Sequence, residues 1–145
     1  MHGRRRLALA LLAPGVVAVV AMVGLVGCGS QGGRGSGPTI ELTAHFSRFS
    51  PARLVVAPGT TVTFVVRNDD PIGHELIIGD AGVHERHEKG TEAYHPPRPG
   101  EMSIPAGQSR STTFTFGTTP GQVVEFGCHL PGHWAYGMRG TVSVA

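Results

Sequence analysis

The sequence predicts an all-β domain, a single Greek-key β-sandwich, which follows an N-terminal export leader. The chain of 145 residues contains 22 Gly and 11 Pro, and only 15% of its residues are charged, as is typical of a turn-rich β protein. Seven short segments with strand composition are separated by Gly and Pro turn signals. These segments are Thr39–Ala44, Leu54–Val56, Thr61–Arg67, His74–Ile78, Ser109–Phe116, Gln122–Cys128 and Met138–Val144.

The first 28 residues have the pattern of a targeting segment. The basic start Arg4–Arg6 precedes an apolar run, Leu7–Gly27. The run ends in Leu-Val-Gly-Cys, which resembles a bacterial lipobox and predicts that Cys28 is lipidated after cleavage. The run is also nearly long enough to span a bilayer, so a retained membrane anchor is the alternative. In either case the domain is expected to be periplasmic or anchored to the outer face of the cell membrane.

A short tether is expected to join this leader to the folded domain. Residues 29–38 consist mostly of Gly and Ser, a composition that favours a flexible linker. The remaining residues, 39–145, are long enough for one small domain. The sequence therefore predicts one domain that can reorient at a membrane surface.

The charge of the chain does not indicate binding to nucleic acid. Three of the 12 Lys and Arg residues lie in the leader, which leaves 9 against 10 Asp and Glu in the rest of the chain. A nearly neutral domain lacks the concentrated basic face that nucleic-acid binding requires. We therefore expect no nucleic-acid partner, and we expect a monomer.

Four residues form a candidate metal-ligand set. Cys128, His133 and Met138 recur at intervals of five residues near the C-terminus, and His74 begins an earlier apolar segment. Two imidazoles, one thiolate and one distant thioether are the ligands of a trigonal copper site with a weak axial sulfur. Such a mixture of donors accommodates both oxidation states of copper with little rearrangement. The pattern therefore predicts one-electron transfer.

The same ligand pattern resembles that of the cupredoxins, the type 1 blue copper proteins that include plastocyanin and azurin. In that family one His comes from an internal strand end, and Cys, His and Met follow in that order from the last loop. The Cys-x4-His-x4-Met spacing is most similar to auracyanin and rusticyanin. The resemblance covers residues 39–145 and implies one copper ion per domain. It also implies that a redox protein docks near His133 and Trp134.

Several of these residues also have ordinary structural interpretations. His74 could be an incidental strand residue, and Met138 could be a core methionine. His129 directly follows Cys128, and strand alternation predicts that its side chain points away from the copper. Because Cys28 is expected to carry a lipid and Cys128 a metal, no disulfide is predicted.

A long polar stretch near residues 80–105 is an insertion relative to a minimal cupredoxin. If it begins with a helical turn, His84, His87 and Glu88 share one face. Together with His95, these histidines are candidate ligands for a second metal ion. The alternative is a solvated excursion whose charges keep it soluble.

The sequence thus predicts an extracytoplasmic type 1 copper protein that carries single electrons. A copper carrier or resistance protein, which handles the metal instead of electrons, is the alternative, because the insertion contains additional histidines. An enzyme is not expected. Multicopper oxidases and nitrite reductases contain at least two such domains with paired His-x-His motifs, and this chain has none.

Overall fold

The computed structural model describes residues 37–90 and 97–145, and in these ranges the chain forms nine β-strands and one short α-helix. In chain order the elements are β1 (Thr39–Ala44), β2 (Phe49–Ser50), β3 (Arg53–Val56), β4 (Thr61–Asn68), β5 (His74–Gly79), α1 (Ala81–Glu88), β6 (Glu101–Ile104), β7 (Ser109–Thr115), β8 (Val123–Gly127) and β9 (Arg139–Val144).

The strands form two sheets that pack as a β-sandwich. One sheet has the order β2-β1-β4-β7 and the other the order β3-β9-β8-β5-β6. The pairs β1–β4 and β3–β9 are parallel, and the other pairs are antiparallel. The predicted all-β sandwich is therefore confirmed.

Alternation of side chains along the strands builds the core between the sheets. In β4, Val62, Phe64 and Val66 are buried, while the residues between them are more exposed, because successive side chains point to opposite faces. Phe126 from β8 meets Phe49 edge-on, with ring centroids 5.7 Å apart, and so connects the two sheets. All six residues of β5 are buried, since β5 lies between β6 and β8 and α1 packs against it.

The insertion near residues 80–105 is more regular than the sequence predicts. Its first part is the helix α1, and the Asp80 carboxylate caps this helix by accepting a hydrogen bond from Val83 N at 2.9 Å. Its last part is β6, a strand that sequence reasoning did not predict. Met102 and Ile104 of β6 are fully buried, because β6 pairs with β5 at the edge of the second sheet.

Several predictions concern parts of the chain outside the described residues. They are the leader at residues 1–28, lipidation of Cys28, most of the tether at residues 29–38, and the position of His95. These stay predictions. Within residues 37–90 and 97–145, no helix combines the length and the apolar character needed to cross a bilayer.

Candidate metal centre

Neighbouring strand ends and one closing loop bring the predicted ligands to one end of the sandwich. His74 begins β5, and Cys128 directly follows β8, the antiparallel neighbour of β5. The backbone N–H of Cys128 donates to the carbonyl of Met138 at 3.0 Å, and that of Met138 donates to the carbonyl of His133 at 2.9 Å. The loop from residue 128 to residue 138 therefore folds back on itself at this end.

Local conformation and a buried carboxylate hold the loop in this shape. Gly132 and Gly137 have φ angles of 83° and 92°, which a residue with a side chain adopts only with strain. At the start of the loop, the Glu75 carboxylate accepts the backbone N–H of His129 at 2.7 Å. The loop is thus fixed at its start and at both of its sharp turns.

Three of the four predicted ligands converge. The ligand atoms of His74, Cys128 and His133 all lie within 4.8 Å of one another, and no other group of three or more His, Cys, Asp and Glu in the described residues does so. His133 Nδ1 lies 3.2 Å from Cys128 Sγ and 3.3 Å from His74 Nδ1. Two nitrogens bound to one ion at about 2.0 Å, with an angle of about 110–120°, are about 3.3–3.5 Å apart. The spacing therefore fits a bound metal ion.

Met138, the fourth predicted ligand, is completely buried beside this group. Its backbone hydrogen bonds with Cys128 and His133 place it next to two of the three converging residues. A buried thioether at this position would supply a weak sulfur donor to a soft metal ion. Direct ligation by Met138 stays a prediction.

The Cys128 thiol needs a metal to become a thiolate. Burial raises the pKa of the thiol to about 12, although hydrogen bonds from the backbone N–H groups of Glu75 and Leu130 act in the opposite direction. Without a metal, this buried and free cysteine is therefore neutral at physiological pH. A soft cation that binds sulfur displaces the proton, so metal binding and deprotonation are coupled.

A buried aspartate that sequence reasoning did not single out supports His74. Asp70 Oδ2 lies 2.8 Å from His74 Nε2, and its carboxylate also accepts the backbone N–H groups of Phe46 and Ser47 at 2.7 and 2.8 Å. Burial raises the pKa of Asp70, but the hydrogen bonds from Ser47, His74 and Phe46 outweigh that effect and leave the pKa below its usual value. The ionised carboxylate holds the Nε2 proton and directs the Nδ1 lone pair toward the metal position.

Asn68 connects the loop before His74 to the neighbouring strand. The buried Nδ2 group approaches the carbonyls of Ile72, Ile104 and Pro105 at 2.8, 3.1 and 3.2 Å, and Oδ1 accepts the N–H of Asp70 at 3.0 Å. One side chain thus joins the end of β4, the loop before β5 and the end of β6. These bonds fix the loop that carries the carboxylate behind His74.

His133 and its neighbours occupy the outer side of this group. His133 is half-buried, and burial, with a smaller contribution from the nearby His74, lowers its pKa. Tyr136 on the same loop is 77% exposed, and Ile72 on the loop before His74 is 48% exposed. Trp134, which was predicted to lie at a docking surface, is half-buried, and its ring stacks on His129 with centroids 4.5 Å apart.

The helix histidines of the insertion make contacts that the sequence did not predict. His84 is buried, and its Nδ1 lies 2.9 Å from Nε2 of His129, which does not belong to the group of converging ligands. His87 Nδ1 lies 2.8 Å from the carbonyl of Val83. Burial lowers the pKa of His84, and it lowers that of His129 to about 4. The structure thus pairs His84 with His129, a partner that the sequence did not suggest.

Comparison with known proteins identifies sequence relatives. Residues 40–145 match the sequence pattern of copper binding proteins of the plastocyanin/azurin family. The chain is 35% identical over 100 residues to the copper-resistant cuproprotein CopI of Rubrivivax gelatinosus, a match that covers 67% of this chain and 59% of that protein. It is 27% identical over 139 residues to CopI of Pseudomonas aeruginosa, covering 73% of this chain and 75% of that protein. The chain thus spans less than two thirds of the Rubrivivax relative.

Solved structures with the same fold include auracyanins. The reduced auracyanin of Roseiflexus castenholzii aligns with a TM-score of 0.61 and 25% identity, covering 77% of this chain and 99% of that one. Auracyanin A of Chloroflexus aurantiacus, a blue copper protein, aligns with a TM-score of 0.57 and 24% identity, covering 75% of this chain and all 100% of that one. At 24% identity, the likeness to auracyanin A concerns the fold alone.

Proposed function

Because the chain belongs to the plastocyanin/azurin family of copper-binding proteins, we propose that it is a type 1 copper protein that carries single electrons outside the cytoplasm. The convergence of His74, Cys128 and His133 ligand atoms within 4.8 Å is the observation that carries this proposal. Bound copper supplies the one-electron couple. The leader pattern at residues 1–28 supports the location at a membrane face.

The rigidity of the site favours electron exchange. The Asp70 carboxylate holds the His74 ring, and two backbone N–H groups hydrogen-bond Cys128 Sγ. Hydrogen bonds within the loop hold Met138 against His133 and Cys128. Since these contacts restrain each donor before metal binds, little movement accompanies a change of oxidation state, and the barrier to electron exchange is low.

Exposed apolar residues on the loops of the site suit brief docking of a redox protein. Tyr136 is exposed on the loop that carries His133, Ile72 is exposed on the loop that precedes His74, and His133 is half-buried. Weak electron-transfer encounters bury little surface, so a small apolar area around a histidine edge is sufficient. We propose that electrons enter and leave through His133, and that the protein acts as a monomeric carrier without enzymatic activity.

Copper handling is the second candidate function. Two sequence relatives are named copper-resistant cuproproteins, and His84 pairs with His129, which directly follows the proposed ligand Cys128 in the chain. A copper-handling protein binds and releases the ion, whereas an electron carrier retains it through many redox cycles. Retention of copper during turnover therefore separates the two functions.

The first test is the visible and electron paramagnetic resonance spectra of the full chain loaded with one equivalent of Cu(II). We expect an intense thiolate-to-copper band and a small copper hyperfine splitting, both of which Cys128→Ser abolishes. Rapid electron exchange, with copper retained by the protein, supports the role of an electron carrier. A pale species with ordinary splitting contradicts the site, and transfer of copper to an acceptor chelator faster than electron exchange favours copper handling.

A pair of buried methionines provides a matched test of axial ligation. Met138 and Met102 are both fully buried, but only Met138 lies on the ligand loop. We expect Met138→Leu to raise the reduction potential, because loss of a sulfur donor destabilises Cu(II), while Met102→Leu leaves the potential unchanged. Equal potentials in the two variants, measured by redox titration, would show that Met138 is not a ligand.

A further inference from the structure

A second histidine cluster lies between α1 and the start of the ligand loop. His84 Nδ1 and His129 Nε2 face each other at 2.9 Å, and the ring centroid of His87 lies 5.9 Å from that of His129. We propose that His84 Nδ1 and His129 Nε2 bind a second metal ion, of the kind that imidazole prefers, such as Zn(II) or copper. This proposal does not depend on whether the first centre carries electrons or handles copper.

A backbone carbonyl holds His84 in the tautomer that binds metal. His84 Nε2 lies 3.2 Å from the carbonyl of Glu125, and since a carbonyl only accepts, Nε2 carries the proton and Nδ1 keeps its lone pair. His87 on the same helix donates its Nδ1 proton to the carbonyl of Val83 at 2.8 Å, and its Nε2 lies 3.6 Å from a Glu101 carboxylate oxygen. Metal-binding histidines almost always donate their other N–H to such an acceptor.

The His129 ring is oriented by His84 and by stacking. Its Nε2 faces His84 Nδ1, and its ring lies nearly parallel to that of Trp134, with an interplanar angle of 14°. Its other nitrogen, Nδ1, is buried and has no hydrogen-bond partner among the described residues. An unsatisfied buried nitrogen costs about 1–3 kcal/mol, so Nδ1 does not hold the ring in place. The hydrogen bond from Nε2 to His84 and the stacking on Trp134 therefore orient the ring.

The facing nitrogens lie at hydrogen-bond distance, a few tenths of an ångström closer than two nitrogens bound to one ion. In the first centre, the facing nitrogens of His74 and His133 are 3.3 Å apart, and here the separation is 2.9 Å. Since His84 Nδ1 keeps its lone pair, His129 Nε2 carries the proton between the two rings. A metal ion bound here would take the place of this proton, which would move to His129 Nδ1, once the rings separated by a few tenths of an ångström.

An aromatic ring covers the pair on one side. The Trp134 ring packs against both members, with centroids 4.6 Å from His84 and 4.5 Å from His129. The two histidines would therefore supply the protein ligands, and solvent molecules would complete the coordination of the ion.

The test uses the full chain with copper in the first centre, titrated with Zn(II) by calorimetry and metal analysis. We expect a second equivalent of metal to bind to the wild type, and at least tenfold weaker binding in His84→Gln and His129→Gln. Glu85→Gln, an exposed position on the same helix, is the matched control and retains the wild-type affinity. The thiolate-to-copper band reports that the first centre is intact in each variant.

Nitrogen chemical shifts provide a measurement that needs no variant. In the reduced, diamagnetic protein, Zn(II) should shift the resonances of His84 Nδ1 and His129 Nε2 while leaving His45 unchanged. Binding of only one metal ion in total would overturn the proposal. So would a second equivalent that binds equally well to His84→Gln and His129→Gln, or Zn(II) shifts confined to other histidines. All of these results leave the spectrum of the first centre, and hence the proposed function, unaffected.

Discussion

Replacing Asp70 with Asn tests how the protein controls the reduction potential of the proposed copper. The carboxylate lies 2.8 Å from His74 Nε2, on the opposite side of the ring from the nitrogen that faces the metal position. Its pKa is below the usual value, so the group is negatively charged at neutral pH. A negative charge stabilises Cu(II) more than Cu(I). Asp70→Asn keeps the size of the side chain but removes this charge, and the potential should therefore rise.

The size of the increase follows from the separation of the charge and the metal. The hydrogen bond, the imidazole ring and a metal–nitrogen bond of about 2.0 Å together place the carboxylate about 7 Å from the ion. At an effective dielectric constant of about 20, two unit charges at that separation interact with about 2.4 kcal/mol. For one electron this energy corresponds to about 100 mV. We therefore expect an increase of about 100 mV, reduced somewhat by solvent screening.

Redox titration of the blue band measures this increase, and Asp69→Asn is the matched control. Asp69 is adjacent in the chain, but it is exposed and pairs with Arg67, so its removal should change the potential much less. In Asp70→Asn, the new amide also disrupts one of the bonds from Phe46 N and Ser47 N, which should lower the stability by about 1–3 kcal/mol. An unchanged potential with an intact blue spectrum, or equal shifts in the two variants, would refute the electrostatic role of Asp70.

Three further predictions concern proton coupling, packing and pH. Because burial raises the pKa of the Cys128 thiol to about 12, binding of Cu(II) at pH 7 should release about one proton from this residue, measured with a pH indicator, and Cys128→Ser should release none. Phe126→Ala should cost about 3–5 kcal/mol in urea denaturation, since the ring is fully buried between the sheets; a cost below about 1 kcal/mol would contradict this packing. In the copper-free protein, burial lowers the pKa of His129 from 6.5 to about 4, so the unfolded chain takes up its proton first. The contribution of His129 to the free energy of unfolding should therefore be fully present above pH 6.5 and should decline as the pH falls toward 4. Equal urea denaturation midpoints across that range would contradict the lowered pKa of His129.

Much of the fold could be predicted because strand periodicity is a local property. The alternation of Val62, Phe64 and Val66 identifies β4 without knowledge of its partners. The strand β6 was missed because only Met102 and Ile104 alternate in a polar stretch, and too few residues carry the signal. Its pairing with β5 and the burial of these two side chains make it a strand.

The candidate site also combines features that are local in the sequence with features that depend on the fold. The order and spacing of Cys128, His133 and Met138 are local, so residue types alone identified a copper-ligand pattern. Asp70 was missed because its importance depends on backbone N–H groups from a loop 23 and 24 residues earlier in the chain, which only the folded structure brings to it. An aspartate four residues before a candidate histidine ligand is the signal that could have suggested it.

Residue chemistry and short-range periodicity specify the types of donor atom, their order along the chain and the β character of the domain, so all three can be read from local sequence. Which groups meet depends on the tertiary fold. His74 and His133 are 59 residues apart, and His84 and His129 are 45 residues apart. Their contacts follow from the pairing of β5 with β8 and from the packing of α1 against β5. Such long-range contacts depend on the whole sandwich, and no local pattern in the sequence specifies them.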